Sequence, residues 1–261
     1  MKKALIIFGG ASSEHFVSCV SASYVISNIP TDKYEVVTVG ITRDGEWYLY
    51  EGDVSFLPED KWLENGKITK AVLSPDRKDK SLIVFRGDKV EKIKIDVAFP
   101  VLHGKNGEDG TIQGLLELSG IPYVGSDCRS SACSMDKAIT NTLADSAEIR
   151  QAKWLSCVAE EYREIKDGFL KKAEDYLGYP IFVKPANAGS SVGVSKAVDR
   201  ASLEKAMEVA FKEDRKVVLE EFVDGFEVEC AVLGNFDAQA MSVGQIKPAN
   251  EFYDYEAKYE N

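Results

Sequence analysis

A chain of 261 residues with 44% hydrophobic side chains is long enough for one large domain or two to three smaller ones with real cores. Its 32 Lys and Arg against 43 Asp and Glu leave a net charge of −11, which argues against nucleic acid as a partner, because binding a phosphate backbone needs clustered positive charge. Five cysteines (Cys19, Cys128, Cys133, Cys157, Cys230) are odd in number and form no CxxC pair, so neither a disulfide framework nor a zinc site is indicated, and a reducing cytoplasm fits best.

The opening MKKALIIF imitates a secretory leader, but its apolar run, Ala4 to Phe8, is short and stops at Gly9-Gly10. No segment is long enough to span a bilayer. Ala4 to Phe8 reads instead as a buried parallel strand, followed by GGASSEH and a helix whose apolar periodicity runs through Val17, Val20, Tyr24 and Val25. Tyr34 to Ile41 completes a βαβ unit, and Asp44-Gly45 turns the chain into Trp47 to Tyr50. Residues 51 to 95 are more polar, with turn signals at Asn65-Gly66, Ser74-Pro75 and Gly87-Asp88, and read as inserted hairpins.

Asp96 to Leu102 is another buried strand, ending in HGKNGEDG before a helix from Thr111 to Ser119. Ligands of open parallel sheets sit at the carboxyl ends of strands, where both GGASSEH and HGKNGEDG fall. Glu14 is there either a helix-capping carboxylate or a ligand contact. His103, one of only two histidines, lies at a strand end among glycines rather than on an apolar helix face, which points to a site role. Arg129 to Ala147 reads as helical with a break near Ser134. There Asp136 caps the second helix, and Lys137, a cation opposing the helix dipole, is either a poor surface choice or, the preferred reading, matched to a bound anion.

The next strand is Ala152 to Val158, and Gly168 to Leu177 is a helix. Tyr179 to Val183 is an apolar, β-rich run leading into KPANAGSSVG at 184 to 193. Gly189 and Gly193 can close a loop over an anion, Ser190 and Ser191 offer donors, and Lys184 supplies the compensating charge; a solvated connection is the plain alternative. The stretch is not GxxxxGK[ST], so a P-loop is excluded. Asp199 to Glu213 is helical, Lys216 to Phe222 and Gln239 to Ile246 are strands, and the strand begun at Gly225 puts Glu227 and Glu229 on one face, either as sheet surface or as carboxylates for hydroxyl recognition. The chain closes on NEFYDYEAKYEN, which reads as a lid loop cut in the middle. A dinucleotide oxidoreductase is disfavoured because Gly9-Gly10 is not GxGxxG.

FGGASSEHFVS at 8 to 18, HGKNGEDGTIQG at 103 to 114, SMDK at 134 to 137, VKPANAGSSVG at 183 to 193, LEEFVDGFE at 219 to 227 and FYDYEAKY at 252 to 259 together resemble the D-alanine-D-alanine ligases of the ATP-grasp superfamily. The resemblance implies an α/β fold in which a three-layer, Rossmann-like parallel-sheet domain (1–125) precedes an incomplete α+β ATP-grasp domain. The latter comprises a first subdomain (126–217) and a partial second one carrying the start of a lid loop (218–261). It implies ATP and Mg2+, two molecules of D-alanine, an acyl-phosphate intermediate, a role in peptidoglycan synthesis in the cytoplasm, and a homodimer at full length.

Residue by residue, the resemblance implies that Lys137 and Lys184 hold ATP phosphates with Ser191 in the loop above them. Glu220, Glu221 and Val223 lie along the adenine, and Glu227 binds the ribose. Glu14 receives the first D-alanine's ammonium in a set with Ser190 and Tyr259, His103 stands beside the reacting carboxylate, and Lys258 reaches the γ-phosphate when the lid closes. Glu221 departs from the lysine that many relatives carry. The family's magnesium ligands fall past Asn261, so the expectation for this chain is no metal site of its own and a ligation-incompetent, nucleotide-binding fragment as the alternative to an active enzyme.

Overall fold

The computed structural model describes residues 1–246. The chain divides into two compact units, Met1–Thr140 and the remainder from Asn141. In the first, β1 (Lys2–Gly9) lies between β2 (Tyr34–Ile41) and β7 (Val97–Pro100), parallel to both. Antiparallel strands β3 (Trp47–Glu51), β4 (Lys67–Leu73), β5 (Ser81–Arg86) and β6 (Lys89–Lys94) continue from β2, giving the order β6-β5-β4-β3-β2-β1-β7. The polar stretch after residue 51 forms the expected hairpins, which extend the sheet as an antiparallel wing, and it also holds a 3-10 turn (Val54–Phe56) and α2 (Trp62–Asn65).

β1 is buried from Ala4 to Gly9 because it is covered on both faces, which is why its sequence is an unbroken apolar run. Leu5 and Ile7 enter one core with Leu116 of α3 (Thr111–Ser119), and Ile6 and Phe8 enter another with Cys19 and Ala22 of α1 (His15–Asn28) and with Trp62. α1 departs from its predicted face. Tyr24 is 69% exposed, and the residues it buries are His15, Ser18, Cys19, Ala22 and Ser23. Small side chains let the helix approach β1 closely, and its polar groups are spent on the strand-end loops.

α4 (Cys128–Met135) and α5 (Lys137–Ser146) meet at Asp136. In the second unit β10 (Ser195–Ala197), β9 (Ile181–Pro185), β11 (Lys216–Glu221) and β8 (Trp154–Val158) form an antiparallel sheet in that order. α6 (Ala159–Leu177) and α7 (Arg200–Glu213) cover one face, burying Leu170, Leu203, Met207 and Ala210 against Ile181, Val183, Val217 and Leu219. α6 starts well before the expected Gly168 and bends at Ile165 (φ −121°, ψ 23°). Asp199 caps α7 through a reciprocal box with Ser202, the arrangement that satisfies two otherwise orphaned donors. β12 (Val228–Leu233) and β13 (Gln239–Gln245) form a separate exposed hairpin. No helix of the described residues is long and apolar enough to cross a membrane.

Candidate active site

The first unit brings GGASSEH and HGKNGEDG together at the carboxyl ends of β1 and β7, as their positions predicted. Ser18 ties the two stems: its hydroxyl accepts from Gly9 N at 2.8 Å and donates to Val101 O. Glu14 is 5% exposed and sits at the N-cap of α1, yet its side chain makes no cap hydrogen bond, so the capping reading fails. Its carboxylate lies over Gly104, whose φ of +68° and whose missing Cβ, which would collide with Glu14 Oε2 and stand 2.8 Å from Ser12 Oγ, both require glycine.

His103 Nε2 lies 3.0 Å from Ser21 Oγ, and Nδ1 lies 3.7 Å from Glu108 Oε1. Glu108 Oε2 accepts from Gly104 N at 2.9 Å. Burial pushes the Glu108 carboxyl up, but hydrogen bonds from His103 and Gly104 and the charge of His103 together bring it below its ordinary value. A carboxylate, an imidazole and a second carboxylate thus share one loop pair. Ser18, Ser21 and Glu108 were not singled out by sequence reasoning; a signal existed in the i, i+4, i+7 spacing of Glu14, Ser18 and Ser21 on a helix of otherwise weak amphipathicity.

In the second unit alternation along the strands leaves Phe182 and Lys184 of β9, Lys196 of β10 and Glu220 of β11 on the sheet face away from α6 and α7. Lys184 Nζ lies 2.5 Å from Glu220 Oε2, and Asn141 Nδ2 donates to Glu220 Oε1 at 3.3 Å. Phe182 stacks with Phe222 at 6.2 Å, and Lys196 Nζ stands 5.3 Å from the Phe222 ring centre. Lys196, through Phe222, and Asn141, through Glu220, join this candidate group, and the sequence did not announce them.

Above this face the loop closes differently from expectation. The left-handed positions are Ser190 (φ +47°), Ser191 (φ +59°) and Gly193 (φ +71°), not Gly189. A Cβ at Gly193 would stand 2.8 Å from both Glu213 Cγ and Pro185 Cγ, so glycine is demanded by space as well as by φ.

Glu221 does not point its carboxylate along a free edge: Oε1 accepts from Lys153 N at 2.8 Å and Oε2 lies 3.6 Å from Lys153 Nζ. Val223 (64% exposed) follows the end of β11, and Glu227 immediately precedes β12. Asp136 Oδ1 accepts from Ala138 N and Ile139 N at 3.0 and 3.1 Å, the expected cap, with Lys137 opening α5. Lys258, Tyr259 and the lid at Phe252 to Tyr259 lie outside the described residues.

The donor set fits a nucleoside triphosphate: two lysines, an aromatic pair and a glycine-closed loop share one sheet region. Magnesium has no comparable fit among the described residues. The one group of three possible ligands, His15, Cys19 and Asp60, has its ligand atoms within 4.8 Å of one another, but it offers imidazole and thiol where magnesium wants oxygen. Its members are already engaged, with His15 Nδ1 2.8 Å from Gly10 O, His15 Nε2 3.1 Å from Asp60 Oδ1, and Arg43 Nη2 2.9 Å from Asp60 Oδ2. Burial and the Asp60 carboxylate push the Cys19 thiol up, keeping it protonated.

Comparison with known proteins agrees with this chemistry. Family models described as "D-ala D-ala ligase N-terminus" and "D-ala D-ala ligase C-terminus" match residues 3–126 and 143–261. A D-alanine–D-alanine ligase of Caldicellulosiruptor bescii is 48% identical over 257 residues, covering 98% of this chain and 70% of the relative; one of Acetivibrio thermocellus is 49% identical over 269 residues, covering 99% and 72%. Among solved structures, the VanG D-Ala:D-Ser ligase of Enterococcus faecalis superposes with a TM-score of 0.87 at 42% identity, covering 97% of this chain and 72% of that one. The D-alanine-D-alanine ligase of Coxiella burnetii gives 0.84 at 30%, covering 94% and 71%. Fold and site together define an ATP-grasp ligase. Within that class, the chain belongs to the D-alanine–D-alanine ligase family.

Proposed function

We propose that the protein joins two D-alanines at the expense of ATP, in a reducing cytoplasm, to supply a peptidoglycan precursor. The observation that carries this reading is the buried carboxylate of Glu14, lying over Gly104 beside His103. A buried carboxylate at a ligand-bearing strand end favours an ammonium. Glu14, with Ser190 and Tyr259, receives the ammonium of the first D-alanine, and His103 stands at its carboxylate. Lys137 and Lys184 hold the ATP phosphates under the loop of Ser190 and Ser191, Glu220, Glu221 and Val223 line the adenine, and Glu227 takes the ribose hydroxyls. For Glu221 the contribution is through the backbone, since Lys153 occupies its carboxylate.

A carboxylate oxygen of the first D-alanine attacks the γ-phosphorus, the bond to the β-phosphate oxygen breaks and ADP leaves. The amine of the second D-alanine then attacks the acyl carbon, phosphate departs and the amine's proton is released. Phosphoryl transfer is chiefly positioning and charge neutralisation, so lysines and preorganised donors are the residue types it needs. Magnesium would neutralise charge developing on the phosphoryl group. The acyl phosphate is sensitive to water, which gives a lid at Phe252 to Tyr259, with Lys258 at the γ-phosphate, its purpose. The domain division at 1–125, 126–217 and 218–261 and a homodimer belong to the same reading.

The test is to supply ATP, magnesium and D-alanine, alone or with D-serine or D-lactate, and to follow phosphate release and product mass. D-Alanyl-D-alanine should predominate, because a neutral Tyr259 phenol gives no charge to favour a hydroxy acid over an amine. Predominant D-alanyl-D-lactate or D-alanyl-D-serine would overturn the assignment of the second substrate. Nucleotide binding without phosphate release would support a ligation-incompetent nucleotide-binding chain instead.

A further inference from the structure

α1 carries oxygen where an amphipathic helix would carry carbon. Its last polar contact with the site is Ser21, whose Oγ lies 3.0 Å from His103 Nε2. On the other edge of the ring, Nδ1 faces Glu108 Oε1 at 3.7 Å. A carboxylate only accepts, so in the neutral ring it favours the proton at Nδ1 and leaves Nε2 with a lone pair. Ser21 can serve that lone pair as a donor, and by rotating its O–H it can instead accept from Nε2–H when the ring is charged. A hydroxyl is therefore able to hold the imidazole in both protonation states.

We propose that Ser21 is a positioning residue for the ligase reaction, fixing the ring plane and the Nδ1–H tautomer of His103. The anchor is rigid because it comes from a helix already docked through Ser18 to Gly9 and Val101, so the Ser21 hydroxyl is presented at a fixed distance from the loop. The kinetic consequence rests on the reading of His103 as the residue beside the reacting carboxylate; the tautomer itself does not.

The chain has only two histidines, so imidazole nitrogens labelled with 15N can be read residue by residue, with a His103→Gln sample for assignment. In the wild type, neutral His103 should be predominantly Nδ1–H. Ser21→Ala should shift the population toward Nε2–H, and Ser21→Thr, which keeps the hydroxyl, should restore it. Where turnover is measured, Ser21→Ala should raise KM for D-alanine by about three- to tenfold, the span of one net neutral hydrogen bond, with KM for ATP unchanged. A tautomer ratio unaltered in Ser21→Ala overturns the proposal, and so does a shift that Ser21→Thr fails to reverse. A shifted tautomer with an unchanged D-alanine KM sustains the role of Ser21 and overturns the placement of His103 at the substrate.

Discussion

Lys184 on β9 and Glu220 on β11 form a 2.5 Å ion pair across neighbouring antiparallel strands, on one face and two residues away from direct register, since Lys184 itself stands opposite Val218. Their side chains are 27% and 18% exposed, so the pair is only partly wet and its geometry is held by the sheet. The Lys184 ammonium is therefore held in place by its partner on the next strand. Removing it should cost a charge-assisted hydrogen bond of about 1.5 to 3 kcal/mol, or roughly tenfold to a hundredfold in affinity. Calorimetric titration of Lys184→Ala with ATP checks this, and an unchanged affinity would remove the phosphate role.

Gly104→Ala should separate the two substrates. The new methyl meets the Glu14 carboxylate and the backbone must keep φ at +68°, a strain of about 1 to 3 kcal/mol. We expect D-alanine KM to rise at least tenfold while ATP affinity in calorimetry stays within twofold. Loss of both in parallel would mean that the loop, not the carboxylate, had been damaged.

A third expectation concerns acid. Glu174 of α6 receives Arg200 at 2.9 and 2.5 Å and the Tyr179 hydroxyl at 2.9 Å, and these hydrogen bonds, Arg200 first, hold its carboxyl below the ordinary value. A depressed carboxyl stabilises the fold above the unfolded-state pKa and loses that contribution as pH falls through the folded one. Urea midpoints of wild type and Glu174→Gln should therefore differ near neutrality and converge as pH drops from about 5 toward 3. A gap that stays constant through that range would exclude ionisation of Glu174 as its source.

Trp62 provides a packing test. It is fully buried, edge-on to Phe8 at 5.1 Å and to Tyr50 at 6.0 Å, and its Nε1 has no hydrogen-bond partner among the described residues. Trp62→Ala should destabilise by about 3 to 5 kcal/mol. Trp62→Phe should cost less than half of that, since it gives up part of the volume but also removes an unsatisfied donor. Equal losses in chemical denaturation would show that the lost volume does not set the cost.

Much of this was legible in the sequence where local and global demands agree. β1 is continuous in its apolar character because both its faces are covered, and α3 and α7 were marked by their glycine, aspartate and periodicity signals. α1 was read onto the wrong face because it packs with small and polar residues, which hydropathy counts as surface. The start of α6 was missed because Glu160 to Lys166 has too few apolar residues to set a period before the bend at Ile165. At the site, Glu14, His103 and Lys184 stand out by residue type at strand ends. Ser18, Ser21, Asn141 and Lys196 do not, because their importance lies in which neighbours the fold brings within 3 to 5 Å.

The double hydrogen bond of Ser18 to Gly9 N and Val101 O has a consequence for how the pocket can be redesigned. Because one hydroxyl fastens both strand ends, lengthening or shortening either loop near its stem transmits the displacement to the other, and Glu14 and His103 move as a unit. Changes in amino-acid preference are then accessible through side-chain exchange at the loop tips, whereas insertions at the stems should abolish recognition of every substrate alike.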